Sequence, residues 1–127
     1  MVEKTVLVVE DDPLQSELTS EILTGEGFLV AEAATLRGVT AALTTTIPRW
    51  AIVDFRLEGW DGWSAIQAIR AAGAGRVKVI ALTGWPWGDE RLAGFMSAAD
   101  YCLDKPVDWD ELLRIMQSEA APPVAAI

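Results

Sequence analysis

Thr5-Val6-Leu7-Val8-Val9 runs directly into Glu10-Asp11-Asp12-Pro13, and this junction decides the fold. The apolar run is mostly β-branched and has no polar interruption, as expected of a strand covered on both faces, which is the habit of parallel sheets. It stops at consecutive carboxylates. Pro13 then suits the first turn of a helix with Asp12 as its N-cap. Leu14, Leu18, Ile22 and Leu23 recur at helical spacing, which predicts them on one inward face before Gly25 and Gly27 end the helix.

Outward from that junction the same alternation continues to about position 117. Phe28 to Ala33 reads as a second, weaker strand, followed by a helix carrying Leu36, Val39 and Leu43 behind a Thr35 cap. Trp50 to Val53 is a third strand, ended by Asp54. A glycine-rich turn, Glu58-Gly59-Trp60-Asp61-Gly62, leads into a helix with Ile66 and Ile69 inward and Gly73 and Gly75 beyond its end. Val77 to Leu82 is a fourth strand, ended by Thr83. Gly84-Trp85-Pro86-Trp87-Gly88 must be a loop before a short helix bearing Leu92, Phe95 and Met96. Tyr101-Cys102-Leu103 is a brief fifth strand ended by Asp104-Lys105-Pro106. Asp108, with Glu111 three residues on, starts a last helix with Leu112, Leu113 and Met116. Strands alternating with amphipathic helices define an α/β protein with a parallel sheet. The reading is one domain over residues 1–120 and a flexible tail over 121–127 that contains Pro122-Pro123.

Composition narrows the chemistry. A chain of 127 residues, 51% hydrophobic, is one domain's worth. Nineteen acidic against ten basic residues give a formal charge of −9, which disfavours nucleic acid and anionic membrane surfaces as direct partners. The single cysteine, Cys102, forms no internal disulfide and reads as a small buried hydrophobe, and the N-terminus lacks a secretory pattern. The expected compartment is therefore the cytoplasm. No apolar run approaches the roughly 20 residues of a membrane span. The absence of histidine excludes Ser/His/Asp and Cys/His catalysis and His-ligated zinc.

Polar residues collect where strands stop: Glu10 and Asp11 after the first, Asp54 after the third, Thr83 and Lys105 after the fourth and fifth. In an open parallel sheet these ends share one edge, where ligands bind. Converging carboxylates repel one another unless an oxygen-liking divalent cation neutralises them, and carboxylates without histidine or thiolate point to Mg²⁺ or Mn²⁺. A lysine and a threonine hydroxyl facing that cation suit the oxygens of a phosphoryl group. The carboxylate nearest both is a candidate nucleophile.

Val8-Val9-Glu10-Asp11-Asp12-Pro13, Val53-Asp54 before Gly59-Trp60-Asp61-Gly62, Ala81-Leu82-Thr83-Gly84 and Lys105-Pro106, in this order and spacing, resemble a bacterial response-regulator receiver domain over residues 4–119. The resemblance implies a doubly wound five-stranded parallel sheet of order 2-1-3-4-5 with five helices, the flavodoxin-like or CheY-like fold. It implies that Asp54 is the phosphoacceptor and Asp11 a direct Mg²⁺ ligand, with Glu10 acting through water and the Arg56 backbone carbonyl as a further ligand. Thr83 and Lys105 would hold the phosphoryl group, with a cis peptide before Pro106. The donor would be a histidine kinase, a histidine phosphotransfer protein or a small acyl phosphate. The output would be contact with a downstream protein, and the resemblance allows a homodimer. On this reading the chain is no metabolic enzyme and catalyses only its own phosphorylation and slow dephosphorylation. The alternative is a pseudo-receiver, an interaction module with the fold but without phosphorylation.

Some positions depart from the family pattern. Receivers usually carry Tyr or Phe three residues before the lysine as the side chain that moves on phosphorylation; Cys102 stands there, and Tyr101 precedes it on the opposite strand face. Arg56 and Trp85 occupy the positions that tune phosphoryl lifetime in the family, and Glu58 replaces a frequent proline. Arg56 also argues against a haloacid-dehalogenase-type phosphatase, which places a second aspartate there. Of six tryptophans, Trp50 and Trp109 are expected at the core edge. Trp60, Trp63, Trp85 and Trp87 lie around the site, as packing or as a partner surface or lid.

Overall fold

The structure, a computed structural model, describes residues 4–57, 60–84 and 90–120. Strands β1 (Thr5–Val9), β2 (Leu29–Ala33) and β3 (Trp50–Asp54) are followed by two-residue strands β4 (Arg56–Leu57) and β5 (Trp60–Asp61), then by β6 (Lys78–Thr83) and β7 (Tyr101–Asp104). The helices are α1 (Pro13–Gly25), α2 (Leu36–Thr45), α3 (Gly62–Gly73), α4 (Glu90–Ala98) and α5 (Trp109–Ala120), with a 3₁₀ turn over Ala74–Arg76. Five strands form one sheet of order β2-β1-β3-β6-β7, and every neighbouring pair is parallel. With the short antiparallel pair β4-β5 set aside, this is the expected doubly wound order.

The strand sequences explain the layering. Alternate residues of β1, β3 and β6 feed opposite faces. Leu7, Val9, Ala51, Val53, Val79 and Ala81 pack with Val39, Leu43, Ile66, Ile69, Leu92 and Phe95 of α2, α3 and α4. Val6, Val8, Trp50, Ile52, Ile80 and Leu82 pack on the other side with Leu23 of α1, Phe28, and Leu112 and Met116 of α5. The central β3 is buried along its whole length, whereas the edge strand β2 is mostly open. The caps stand where the sequence puts them: Asp12 accepts from the Leu14 N–H at 3.0 Å, Thr35 from Gly38 at 3.0 Å and Asp108 from Glu111 at 3.2 Å. At the far end of the sheet Arg70 donates to the carbonyls of Val77 (2.7 Å) and Ala98 (3.0 Å) and pairs with Asp100 at 3.0 Å, tying the ends of α3 and α4 to the start of β6.

The structure corrects the expected inward face of α1. Leu14 and Leu18 are 75% and 44% exposed, and the helix buries Ser16, Thr19 and Leu23 instead. The reason is helical phase: nine residues are about two and a half turns, so Leu14 and Leu23 face opposite ways. The inward hydroxyls are satisfied, Ser16 by Glu32 of β2 at 2.5 Å and Thr19 by the Gln15 carbonyl at 2.9 Å. Cys102, expected to be buried, is exposed, with its Sγ 3.5 Å from the Met96 carbonyl oxygen. Trp50, expected at the core edge, is fully buried, and its indole N–H finds no hydrogen-bond partner among the described residues. Trp109 and Trp63 are half-buried. Glu58, Gly59, the Trp60 side chain, Trp85, Trp87 and the tail over 121–127 lie outside the described residues. No helix among the described residues is long and apolar enough to cross a membrane.

The two faces of α1 make opposite demands on stability. Leu23→Ala is expected to cost about 2–5 kcal/mol in urea unfolding, whereas Leu14→Ala changes stability by about 0.5 kcal/mol or less. Equal losses would restore the leucine stripe as the buried face.

Candidate functional site

The C-terminal ends of β1, β3, β6 and β7 bring the polar residues of four separate segments to one edge. Asp54 ends β3, the most buried strand, and is itself 5% exposed. The Phe55 N–H donates to the Leu82 carbonyl at 3.2 Å, and the Lys105 N–H to the Thr83 carbonyl at 2.8 Å, so the chain leaving each strand stays registered to its neighbour. The Lys105-Pro106 peptide is cis, as the resemblance implies. Lys105 reaches across β6 to place Nζ 2.9 Å from Asp54 Oδ2. The ammonium thus meets a carboxylate that water barely reaches.

Glu10 is buried beside this pair. Its Oε2 accepts from the Asp12 N–H at 3.2 Å, and its own N–H donates to the Ala33 carbonyl at 3.1 Å. Burial, then the charge of Asp54 and to a smaller degree that of Asp11, push its carboxyl up to about 7, against the opposing pull of the Asp12 N–H and Lys105. Glu10, Asp11, Asp54 and Lys105 therefore feel one another as a single electrostatic unit. Thr83 is buried one residue beyond the Asp54–Leu82 pairing. Its hydroxyl turns sideways to Asp104 Oδ1 at 3.3 Å, not to Asp54. Arg56 lies in β4, opposite Asp61, with an exposed side chain. The structure thus joins Asp54 and Lys105 directly, brings Glu10 and Asp11 into their electrostatic neighbourhood, and sets Thr83 against Asp104 and the Arg56 side chain in the open.

Two residues were not singled out for the site by the sequence reading. Asp104 holds the Thr83 hydroxyl, and the signal for it was its place beside Thr83 at the end of a neighbouring strand. Gly62 donates its N–H to the Phe55 carbonyl at 2.8 Å. A Cβ at Gly62 would collide with the Asp54 carbonyl oxygen and come within 2.6 Å of Phe95 Cε1. Only its place after Asp61 hinted at that contact.

The donors present suit a hard divalent cation. They are carboxylate oxygens at an edge where burial, and then the charge of Asp54, raise the Glu10 carboxyl, and one lysine opposes them. Among the described residues no three acidic side chains are grouped closely enough to cage a metal. A cation here would also draw on backbone or water oxygens.

A doubly wound parallel sheet with carboxylates and a lysine meeting at its switch-point edge defines a class of phosphoryl- and nucleotide-handling α/β proteins. Within that class the chain belongs to the response regulator receiver domain family, whose profile matches residues 6–117. Receiver domains are modules of two-component signalling. An uncharacterised 14.6 kDa protein of Leptolyngbya boryana is 32% identical over 123 residues, covering 94% of each chain. The probable transcriptional regulatory protein SilR of Salmonella typhimurium is 37% identical over 109 residues, or 85% of this chain and 47% of SilR. This chain thus spans about half the length of that regulator. A CheY-like receiver from Methanospirillum hungatei superposes with a TM-score of 0.82 at 28% identity, covering 92% of this chain and 93% of the other. The receiver domain of a Pseudomonas aeruginosa sensor histidine kinase, solved with a magnesium ion coordinated in its active-site cleft, gives 0.79 at 30% identity, covering 92% and 97%.

Glu10 binds its proton more tightly folded than unfolded, so its contribution to stability is complete below its ordinary pKa of 4.5 and is lost as pH rises through about 7. In chelator-treated protein, Glu10→Gln should therefore be more stable than the parent at pH 8 by about 1–3 kcal/mol. The gap should close toward pH 5. Denaturant unfolding at both pH values checks this, and a gap independent of pH would contradict the burial and repulsion assigned to Glu10.

Proposed function

We propose that this chain is a phosphorylation-controlled switch of a two-component relay in which Asp54 accepts a phosphoryl group from a phosphohistidine on a kinase or phosphotransfer protein. The observation that carries this reading is the Lys105 ammonium 2.9 Å from a buried Asp54 carboxylate, at the edge where Glu10 and Asp11 also converge. Asp11, Asp54 and the Arg56 backbone carbonyl would hold Mg²⁺, with Glu10 acting through water; Mn²⁺ meets the same donors. The magnesium seen in the Pseudomonas receiver supports this assignment. When bound, the cation neutralises charge on the phosphoryl oxygens.

The chain's own residues do the rest. An Asp54 carboxylate oxygen attacks phosphorus in line, the new P–O bond forms as the P–N bond to the donor imidazole breaks, and the imidazole leaves. Lys105, already against Asp54, transfers its contact to a phosphoryl oxygen, and burial keeps water from competing. Thr83 exchanges Asp104 for another phosphoryl oxygen. That exchange carries the chemical event one strand sideways to β7. The modified state prevails to the extent that these contacts favour it.

The exposed leucines of α1 point to where the donor docks. Leu18, Gln15, Lys105, Pro106, Val107 and Trp109 line a cleft of about 330 Å³ directly beside the acceptor's lysine. A histidine-bearing helix seated on Leu14 and Leu18 would bring its imidazole to that edge. The charge of −9 argues that the output is protein contact rather than nucleic acid, and the cytoplasm is the fitting compartment.

Intact-mass measurement after incubation with acetyl phosphate and Mg²⁺ tests the reading. One phosphoryl group should be gained, absent in Asp54→Asn and with chelator, and gained about a hundredfold more slowly in Lys105→Ala. No gain from acetyl phosphate or a phosphohistidine donor would turn the assignment to the pseudo-receiver. Leu18→Asp should slow transfer from a phosphohistidine protein about tenfold or more while leaving the acetyl phosphate rate unchanged. Equal slowing with both donors would remove α1 as the docking face.

A further inference from the structure

The aromatic side chain that would connect the site to the α4 face from position 102 is missing. Cys102 stands there, and the neighbouring Tyr101 packs in the opposite layer, 6.3 Å from the Trp50 ring centroid. A different aromatic occupies the route. Phe95 of α4 is fully buried, with its ring centroid 5.0 Å from that of Phe55, the residue after Asp54. It also fills the gap left by the missing side chain of Gly62: a Cβ there would lie 2.6 Å from Phe95 Cε1 and would strike the Asp54 carbonyl oxygen. The acceptor's main chain and the Phe95 ring therefore meet across one glycine.

A second glycine repeats the arrangement one residue earlier on α4. A Cβ at Gly94 would lie 2.8 Å from Cη2 and from Cζ2 of Trp63, in the first turn of α3. The Arg91 guanidinium covers the same indole at 4.9 Å, a cation–π contact. The other end of α4 is tied down, because Arg70 donates to the Ala98 carbonyl at 3.0 Å. Movement at the Asp54–Gly62 contact thus meets a helix anchored at its C-terminus and close-packed near its middle. Packing this tight transmits displacement instead of absorbing it.

We propose that Phe95 is a positioning residue for Asp54 and couples the acceptor to α4 through Gly62, replacing the side chain absent at position 102. The proposal rests on the phosphoacceptor reading above. Coupling is reciprocal, so a change at Phe95 alters both the response of α4 and the readiness of Asp54.

Cys102 supplies the reporter, being the only cysteine in the sequence, exposed, and 3.5 Å from the carbonyl of Met96 on α4. The full chain, carrying a trifluoromethyl label on Cys102, is followed by ¹⁹F NMR while intact mass tracks phosphorylation by acetyl phosphate with Mg²⁺. In the parent a shifted resonance should grow with the mass gain. In Phe95→Leu the mass gain should persist, several-fold slower, while most of the shift is lost. Trp63→Phe, which loosens the same interface from its half-buried rim, should reduce the shift without slowing phosphorylation to that degree, and it decides the matter if Phe95→Leu does not fold. A full shift in a phosphorylated, folded variant, or a phosphorylated parent with no shift, overturns the coupling alone. A parent that gains no mass from this donor overturns the phosphoacceptor reading and the coupling with it.

Discussion

The Lys105–Asp54 pair is the contact on which the rest of the site depends. Asp54 ends a strand with no exposed residue, so its carboxylate cannot rely on bulk water to offset its charge. Coulomb attraction to the ammonium supplies part of what water would, and a pair only partly desolvated gains more from it than a fully exposed one. Lys105 reaches Asp54 from the end of β7, which lies beside β6. The sheet order is therefore an electrostatic requirement as much as a packing one. Glu10 shows the limit of that compensation: burial first, and then the charge of Asp54, raise its carboxyl to about 7 despite the opposing pull of Lys105.

Much of this was legible in the amino-acid order, for a physical reason. Strands buried on both faces must be continuously apolar, so Glu10, Asp54 and Thr83 announce the ends of β1, β3 and β6 simply by being polar. Parallel connection then forces those ends to one edge. The caps at Asp12, Thr35 and Asp108 were legible likewise, since a helix start needs a side-chain acceptor whatever the tertiary context. Helical phase was harder. Leu14, Leu18, Ile22 and Leu23 look like a stripe, yet α1 turns Ser16 and Thr19 inward, because hydroxyls that find acceptors, Ser16 on β2 and Thr19 within its own helix, can sit against a sheet. Cys102 and Trp50 were misplaced for a related reason: burial is set by the neighbouring element, and period alone does not say which elements cover a short edge strand.

Contacts made by an absence were the least legible. A glycine in a sequence reads as a turn or a helix end, and Gly62 and Gly94 look like nothing more. In the structure each is a gap filled from another element, Phe95 in one case and Trp63 in the other. Together they bring α3 and α4 close enough for α4 to rest against the main chain of Asp54. Arg91 lies over the Trp63 indole, yet what the two glycines themselves contribute is room for a neighbouring ring, so their information lies in volume.

The hydroxyl-lined inner face of α1 has a consequence of a different kind. Because the helix is held to the sheet by Leu23 and by the hydrogen-bonded Ser16 and Thr19, Leu14 and Leu18 are free to face outward. On the proposed docking, recognition and folding use opposite sides of one helix. Substitutions on the outer side can redirect which donor is met while the core remains as it was. Duplicate copies of such a chain could part company in their wiring without any of them having to find a new fold.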